Sequence, residues 1–370
     1  MHATPQEKRK PRIGLIIVLA VVAVLLIALV AVGLYVRADI VGGAQAGETI
    51  FVDVPQGAST AQIASILEEA GVVKSSLIFR VYSRVQAFDG KYQYGQYAFT
   101  EDVPYEQMCQ TLMTQGTRAQ TVKVTIPEGT GINDYVKDVN GEDVTVPGIA
   151  TLLESAGVCT KNEFFAALDA VSPDSPLLSS VSDEAYYALE GYLFPETYEF
   201  YAYDSTECAR LAVERMLEET DKRITDDMRK RAQDMGYSIH EILTMASIIQ
   251  MESGQNAAEM PNVAAVFYNR LNSNSFSTLG SSPTCYYGDS FTQDDGRYNT
   301  YNIPGLPPGP LCSPGIAAIE AALNPTADSP YFYFVTDSSG KFYFHKTSAE
   351  QQQTINALMS SGKWIYEYFD

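Results

Sequence analysis

From Ile13 to Val36 the chain runs for 24 residues without a charge, dominated by Val, Leu, Ile and Ala. At about 1.5 Å of rise per residue, a helix of that length exceeds the roughly 30 Å of bilayer hydrocarbon. Such a run can cross a membrane, and Lys8, Arg9, Lys10 and Arg12 stand directly before it. The positive-inside rule puts that basic tail in the cytoplasm and the bulk of the chain outside. A cleaved signal peptide competes, with Ala44-Gln45-Ala46 as a faint cleavage site. The apolar run is much longer than the roughly 7–15 residues such a region uses. The expected layout is a cytoplasmic tail over 1–12, a transmembrane helix over 13–36 and a small, Gly-rich polar linker over 37–48.

The 370 residues are 46% hydrophobic, enough for a buried core and two folded domains. Beyond the tail and anchor, 44 acidic residues face 20 basic ones. That excess excludes a partner held by phosphate neutralisation, so no nucleic-acid partner is expected. Cys109, Cys159, Cys208, Cys285 and Cys312 are scattered, odd in number and never in a C-x-x-C pair. They read as mostly buried thiols, with one or two disulfides left open, and not as a zinc knuckle or a disulfide framework.

Ile50 to Val54 reads as a strand, and Ser59-Thr60-Ala61-Gln62 has the form of a capping box opening a helix that Ala70-Gly71 stops. The phrase returns. Leu67-Glu68-Glu69-Ala70-Gly71-Val72 with Phe79 matches Leu153-Glu154-Ser155-Ala156-Gly157-Val158 with Phe165 at an offset of 86. The preceding turns, Val54-Pro55-Gln56-Gly57 and Ile126-Pro127-Glu128-Gly129, recur at an offset of 72, so the second copy carries 14 extra residues around Asn140-Gly141-Glu142-Asp143. Two copies indicate duplicated small βα units, unless these are two ordinary amphipathic helices with Gly stops. From Tyr201 the pattern is mostly helical, closing with two aromatic strands, Tyr331 to Val335 and Lys341 to His345, about the turn Asp337 to Gly340. The fold class is α+β.

The most informative segment runs from Ser238 to Gly254. Ser238 with Glu241 forms a capping box, and Gly254 is the stop. Met245, Ile248 and Ile249 precede Glu252 by seven, four and three residues, which sets a carboxylate on their apolar face. Desolvation there, and the negative end of the helix dipole, would keep it protonated near neutral pH, as a general acid at a glycosidic oxygen requires. By itself this pattern also fits a glutamate snorkelling to solvent at the edge of a core helix.

Several longer phrases accompany it: Leu189-Glu190-Gly191-Tyr192-Leu193-Phe194-Pro195-Glu196-Thr197-Tyr198, Ala246 to Glu252, Val266-Phe267-Tyr268-Asn269-Arg270-Leu271, and Tyr298-Asn299-Thr300-Tyr301 through Gly305-Leu306-Pro307-Pro308-Gly309-Pro310 with Ser313-Pro314-Gly315. In order and spacing they resemble the MltG (YceG-like) family of endolytic murein transglycosylases, over roughly residues 48–366. The resemblance implies a single membrane helix, a small LysM-like βα module over 49–118 and a larger mixed α+β catalytic domain over 119–370. It implies cleavage of the β-1,4 bond between N-acetylmuramic acid and N-acetylglucosamine in glycan strands, leaving a 1,6-anhydro end. Peptidoglycan is then the substrate, cell-wall synthesis proteins are the expected partners, and neither cofactor nor metal is called for. The catalytic glutamate falls on Glu252, one carboxyl acting first as acid and then as base toward the sugar's own C6 hydroxyl. Substrate contacts fall on Glu190, Ser253, Asn269, Tyr298, Asn299, Thr300 and Tyr301.

The chain departs from the family pattern at Gln250, where many members are acidic, at Ser282 before Pro283-Thr284, where members often have Asp, and at Gln351 in place of a frequent His. Glu190 either hydrogen-bonds in the site or caps a buried turn. Tyr298, Asn299 and Tyr301 either meet sugar rings or fold on themselves, and Asn269 and Arg270 are structural or substrate-binding. Two other readings stay open. One is a non-catalytic, membrane-anchored wall-binding or scaffolding protein; the other is a cysteine transpeptidase using Cys285 or Cys312 with His345.

Overall fold

The uncharged run is helical in the computed structural model, which describes residues 13–42, 49–55, 57–100, 103–114, 121–139, 142–170, 176–202, 206–289 and 295–364. Helix α1 (Ile13–Val41) continues past Val36, so residues 37–41, read from composition as the start of the linker, are its last turn. Asp39 in that turn is buried and accepts hydrogen bonds from the Lys74 backbone N–H (3.0 Å) and the Tyr105 hydroxyl (2.7 Å). The basic tail before Ile13, the Ala44-Gln45-Ala46 segment and Asn140-Gly141 lie outside the described residues.

The chain divides into two compact units, Met1–Gln120 and Thr121–Asp370. In the first, β1 (Thr49–Val54) pairs antiparallel with β2 (Gly95–Thr100), Thr49 opposite Thr100. Between them lie α2 (Thr60–Glu69) and α3 (Ser76–Val85), and α4 (Tyr105–Met113) follows. The Ser59–Gln62 capping box forms as read. Ile63, Leu67, Phe79, Tyr97, Met108 and Leu112 make one core beneath the two-stranded sheet.

The second unit opens by repeating that arrangement. β3 (Thr121–Thr125) pairs antiparallel with β6 (Thr197–Tyr201), and α5 (Ile149–Ser155) and α6 (Lys161–Ala170) lie between them in the chain. The extra residues of this copy form a hairpin, β4 (Tyr135–Val139) with β5 (Glu142–Val146). Both copies are therefore β-α-α-β, and their first helices end identically. Val72 N–H donates to Leu67 O, as Val158 N–H does to Leu153 O, across Gly71 (φ 76°) and Gly157 (φ 73°). The left-handed conformation that lets the chain turn back there is open to Gly at no steric cost.

One correspondence shifts. α6 starts one residue earlier in its copy than α3, so the fully buried counterpart of Phe79 is Phe164, while Phe165 is half-buried and stacks on Tyr187 (5.8 Å between centroids).

The rest of the second unit is helical: α7 (Thr206–Arg223), α8 (Asp226–Met235), α9 (Ile239–Ser253), α10 (Met260–Leu271), α11 (Ser282–Asp289), α12 (Ile316–Leu323) and α13 (Ser348–Ser360). A hairpin of β7 (Tyr333–Thr336) and β8 (Phe342–His345) precedes α13. Pro261 takes the first turn of α10, where its missing N–H costs nothing. α9 is the axis of this unit, packed by α8, α10, α11 and α12. It is buried nearly all round, from His240 through Gln250, and so is more enclosed than the one-sided stripe read from the sequence.

No disulfide joins the five cysteines, and four of them are buried. Small separate strand pairs joined to a helical body make this an α+β protein.

Candidate active site

A helix buried nearly all round must pair most of its polar side chains internally, and three of those on α9, His240, Ser247 and Gln250, meet one loop. His240 donates from Nε2 to Pro308 O (2.7 Å) and accepts at Nδ1 from the Tyr192 hydroxyl (2.9 Å). Burial pushes the His240 pKa down, in keeping with a neutral ring. Two and nearly three turns on, Ser247 Oγ accepts from Leu311 N–H (3.0 Å) and Gln250 Oε1 accepts from Gly315 N–H (3.0 Å). The segment 308–315 is thus laid along α9 from end to end. Its far side is tied to the turn after β3, by Gly129 N–H to Ser313 O (2.9 Å) and Ser313 N–H to Thr130 O (2.9 Å).

Glu252 stands where this enclosure opens. It lies in the last turn of α9, half-buried, one residue before buried Ser253 and two before the Gly254 cap. The Ser281 hydroxyl donates to its Oε1 at 2.6 Å. Ser281 is 1% exposed and is itself fixed by its neighbours. Its N–H donates to Thr300 Oγ1 (3.0 Å), its carbonyl accepts from Thr284 Oγ1 (2.6 Å), and Gly280 N–H donates to Thr300 O (2.9 Å). Thr300, expected to touch substrate, is fully buried and joins the 279–284 segment to its own loop.

Arg270 of α10 supplies the positive charge beside Glu252. Its guanidinium donates to Phe332 O (2.8 Å), Leu279 O (2.7 Å) and Gly280 O (3.1 Å), and lies within 6 Å of the ring centres of Phe267, Phe276 and Tyr333. Desolvation lowers its pKa, and the attraction of Glu252 opposes that shift. Three carbonyl acceptors hold the cation at this depth. Tyr301 completes the rim. It is 47% exposed, its hydroxyl lies 3.2 Å from Ser282 Oγ, and burial of part of the ring raises its pKa.

The other expected contacts are distributed differently. Asn299 is half-buried, its Oδ1 accepting from Tyr301 N–H (3.0 Å), which shapes the turn presenting Tyr301. Tyr298 is fully buried, stacked on Tyr186 (5.1 Å) and tilted against Tyr287 (4.8 Å). Asn269 donates both amide hydrogens to backbone carbonyls, Ser329 O and Tyr331 O, each at 2.8 Å, anchoring the segment that leads into β7.

Glu190 is 1% exposed, accepts from Ile132 N–H (3.2 and 3.3 Å to its two oxygens) and from the Tyr287 hydroxyl (3.2 Å), and has its pKa pushed up to about 8 by burial. At neutral pH it is mainly a neutral acid joining the turn after β3 to α11. The Cys312 thiol is fully enclosed, its pKa driven well up by burial, and donates to Ser247 O (3.7 Å). That is the environment of an inert thiol, opposite to what a cysteine nucleophile needs.

Sequence reasoning singled out Glu252 but passed over Ser281. Nothing in its own neighbourhood marks it, because its partner is 29 residues away and meets it only through the fold.

A model described as the YceG-like family matches residues 52–357. The chain belongs to the YceG-like family. The endolytic murein transglycosylase of Bacillus subtilis (strain 168) is 29% identical to it over 325 residues, covering 85% of this chain and 86% of that protein. The endolytic murein transglycosylase of Streptococcus pneumoniae strain D39 is 30% identical over 334 residues, and the chain spans 59% of that longer protein's length. The crystal structure of a yceG-like protein from Listeria monocytogenes superposes with a TM-score of 0.50 at 28% identity, over 83% of this chain and 98% of that one. Glu252, Ser281, Arg270 and Tyr301 all fall within the matched range.

Proposed function

We propose that this YceG-like protein is an endolytic murein transglycosylase, a lytic enzyme acting on peptidoglycan, with Glu252 as its catalytic residue. The observation that carries the reading is the placement of a half-buried carboxyl at the open end of a buried helix, with one oxygen held by Ser281. It is supported by two relatives that bear this activity as their name.

In the proposed reaction Glu252 gives its proton to the glycosidic oxygen as the bond from C1 of N-acetylmuramic acid to O4 of N-acetylglucosamine breaks. The glucosamine residue leaves with a free 4-hydroxyl. The resulting carboxylate then takes the proton of the muramic C6 hydroxyl, whose oxygen closes onto C1 to give the 1,6-anhydro end. No water is consumed, so no second carboxylate is needed to activate one. The Arg270 charge favours the stage at which Glu252 is ionised.

Among the expected contacts, exposed Tyr301 and half-buried Asn299 are assigned to sugar rings, by stacking and amide hydrogen bonding. Glu190, Ser253, Asn269, Tyr298 and Thr300 are assigned to holding the walls of the site. We assign α1 to a single membrane span with the N-terminus in the cytoplasm and both units outside, and the first β-α-α-β unit to a LysM-like module that positions glycan. Substrate would then be nascent strands near the membrane, and cell-wall synthesis proteins the partners.

The test is mass spectrometry of un-crosslinked glycan strands treated with the purified full chain and with Glu252→Gln. Anhydro-muramic ends made by the parent alone are expected. Reducing ends that have gained water would make the protein a hydrolase. Anhydro ends from both proteins would remove Glu252 from the chemistry, and none from either would leave a scaffolding protein.

A further inference from the structure

Helix α3 buries one side and leaves an apolar stripe on the other. Phe79 and Ser83 face the core of the first unit. Leu77, Val81 and Val85, four residues apart, are 65%, 55% and 75% exposed. Helical spacing puts all three on one face, and Arg80 and Arg84 stand side by side along its edge. α3 contains no acidic residue, in a chain whose acidic groups outnumber its basic ones by 45 to 25. Arg84 approaches Asp89 at 3.9 Å, with both side chains open to solvent.

What covers this face follows from where α3 begins. α1 and α3 belong to the same unit and touch. Val36 and Ile40 of α1 are partly buried, and Asp39 between them accepts from the backbone of Lys74, two residues before α3 starts. The uncharged run ends at Val36 and is about 6 Å longer than the hydrocarbon it crosses, so Asp39 lies about 4.5–10 Å along the helix beyond the hydrocarbon edge. The headgroup layer is roughly 5–8 Å thick on each side of a bilayer. The start of α3 is therefore pinned at headgroup depth. Leu and Val on one face with Arg along the edge is the pattern of a helix lying in the membrane interface.

We propose that α3 docks onto the bilayer that α1 crosses, with Leu77, Val81 and Val85 seated among the upper acyl-chain segments and Arg80 and Arg84 on anionic lipid headgroups. The first unit is then held against the membrane and does not swing on its tether. This rests on the assignment of α1 as a membrane span.

The full chain, in a Cys285→Ser background that removes the one half-buried thiol, is reconstituted into vesicles of phosphatidylglycerol and phosphatidylcholine. A bimane fluorophore is placed at Val81→Cys, or at Leu29→Cys within α1 as a reference for the anchor. Lipids brominated on their acyl chains should quench both labels, with blue-shifted emission at position 81. Adding Arg80→Glu and Arg84→Glu should weaken quenching at position 81 severalfold and leave position 29 unchanged.

Quenching at 29 without quenching at 81 would overturn the docking while the anchor stands. No quenching at 29 would overturn the anchor and the docking with it. A blue shift at 81 that grows with protein copies per vesicle and ignores bromine would assign the stripe to a second copy of the chain and overturn the proposal.

Discussion

The Ser281 hydroxyl donates to Glu252 Oε1 at 2.6 Å, joining the loop before α11 to the last turn of α9. A hydrogen bond to an ionisable group contributes about 1.5–3 kcal/mol, and each 1.36 kcal/mol is about tenfold in rate. Ser281→Ala should therefore lower kcat by about 10–100-fold with little change in KM, because the hydroxyl fixes the acid and does not face the glycan. Ser281→Thr, which keeps the donor, should recover most of the rate. Release of anhydro-muropeptides by the two variants at matched folded fractions checks this, and equal loss in both would reduce Ser281 to a packing residue.

Glu190 makes stability depend on pH. Its folded pKa of about 8 lies above the ordinary value of 4.5, so the folded state binds the extra proton between these limits. The stabilisation is complete below about pH 4.5 and is lost as pH rises to about 8, by an amount on the order of a few kcal/mol. Glu190→Gln, neutral at every pH, should flatten that decline. His240 acts in the opposite direction: its lowered pKa gives stability that is present above 6.5 and lost on acidification. Urea denaturation from pH 5 to 9 reads both slopes, and an unchanged alkaline slope in Glu190→Gln would contradict the assignment.

Gly191 admits no side chain. Its φ is 79°, and a Cβ there would sit 2.4 Å from Pro310 Cβ and 2.6 Å from Pro310 Cγ. Pro310 cannot swing away, because the neighbouring backbone at Pro308 and Leu311 is hydrogen-bonded to α9. Gly191→Ala should cost about 2–4 kcal/mol, combining left-handed strain with overpacking. A fall in urea midpoint at constant m-value is the expected signature, with activity falling in step as the 308–315 segment lifts.

Gln250 uses both ends of its amide, donating to Gly254 O (2.7 Å) and accepting from Gly315 N–H (3.0 Å). An ionised carboxylate can only accept, so Gln250→Glu would set an oxygen against the Gly254 carbonyl. The cost should be about 1–3 kcal/mol above neutral pH and should shrink at acidic pH, where a protonated acid can again donate. Denaturation midpoints at pH 5 and pH 8 measure the difference. Equal midpoints would mean the α9 terminus rearranges around the acid.

Local patterns carried much of this protein on their own. The uncharged run set α1, the Ser59–Gln62 and Ser238–Glu241 boxes set the starts of α2 and α9, and the repeated Ala-Gly phrase marked two matching helix stops. These are decided by covalent sterics and by hydrogen bonds a few residues apart, which any chain with that wording meets. Helical spacing likewise aligned Glu252 with Met245, Ile248 and Ile249, but it was the resemblance of the surrounding phrases to the YceG-like family that singled it out as the acid.

What surrounds Glu252 was settled by tertiary structure. Ser281 is 29 residues away, and Arg270 reaches the site through carbonyls at 279, 280 and 332 that have no mark in the sequence. Thr300 and Tyr298 sit in the same aromatic phrase as Tyr301, yet the first two are fully buried and the third is on the rim, because α11 and its neighbours pack over one end of the loop and not the other. Residue type fixed what each side chain was able to do. Burial and long-range hydrogen bonds, which arise only when distant segments meet, fixed which of them face the opening.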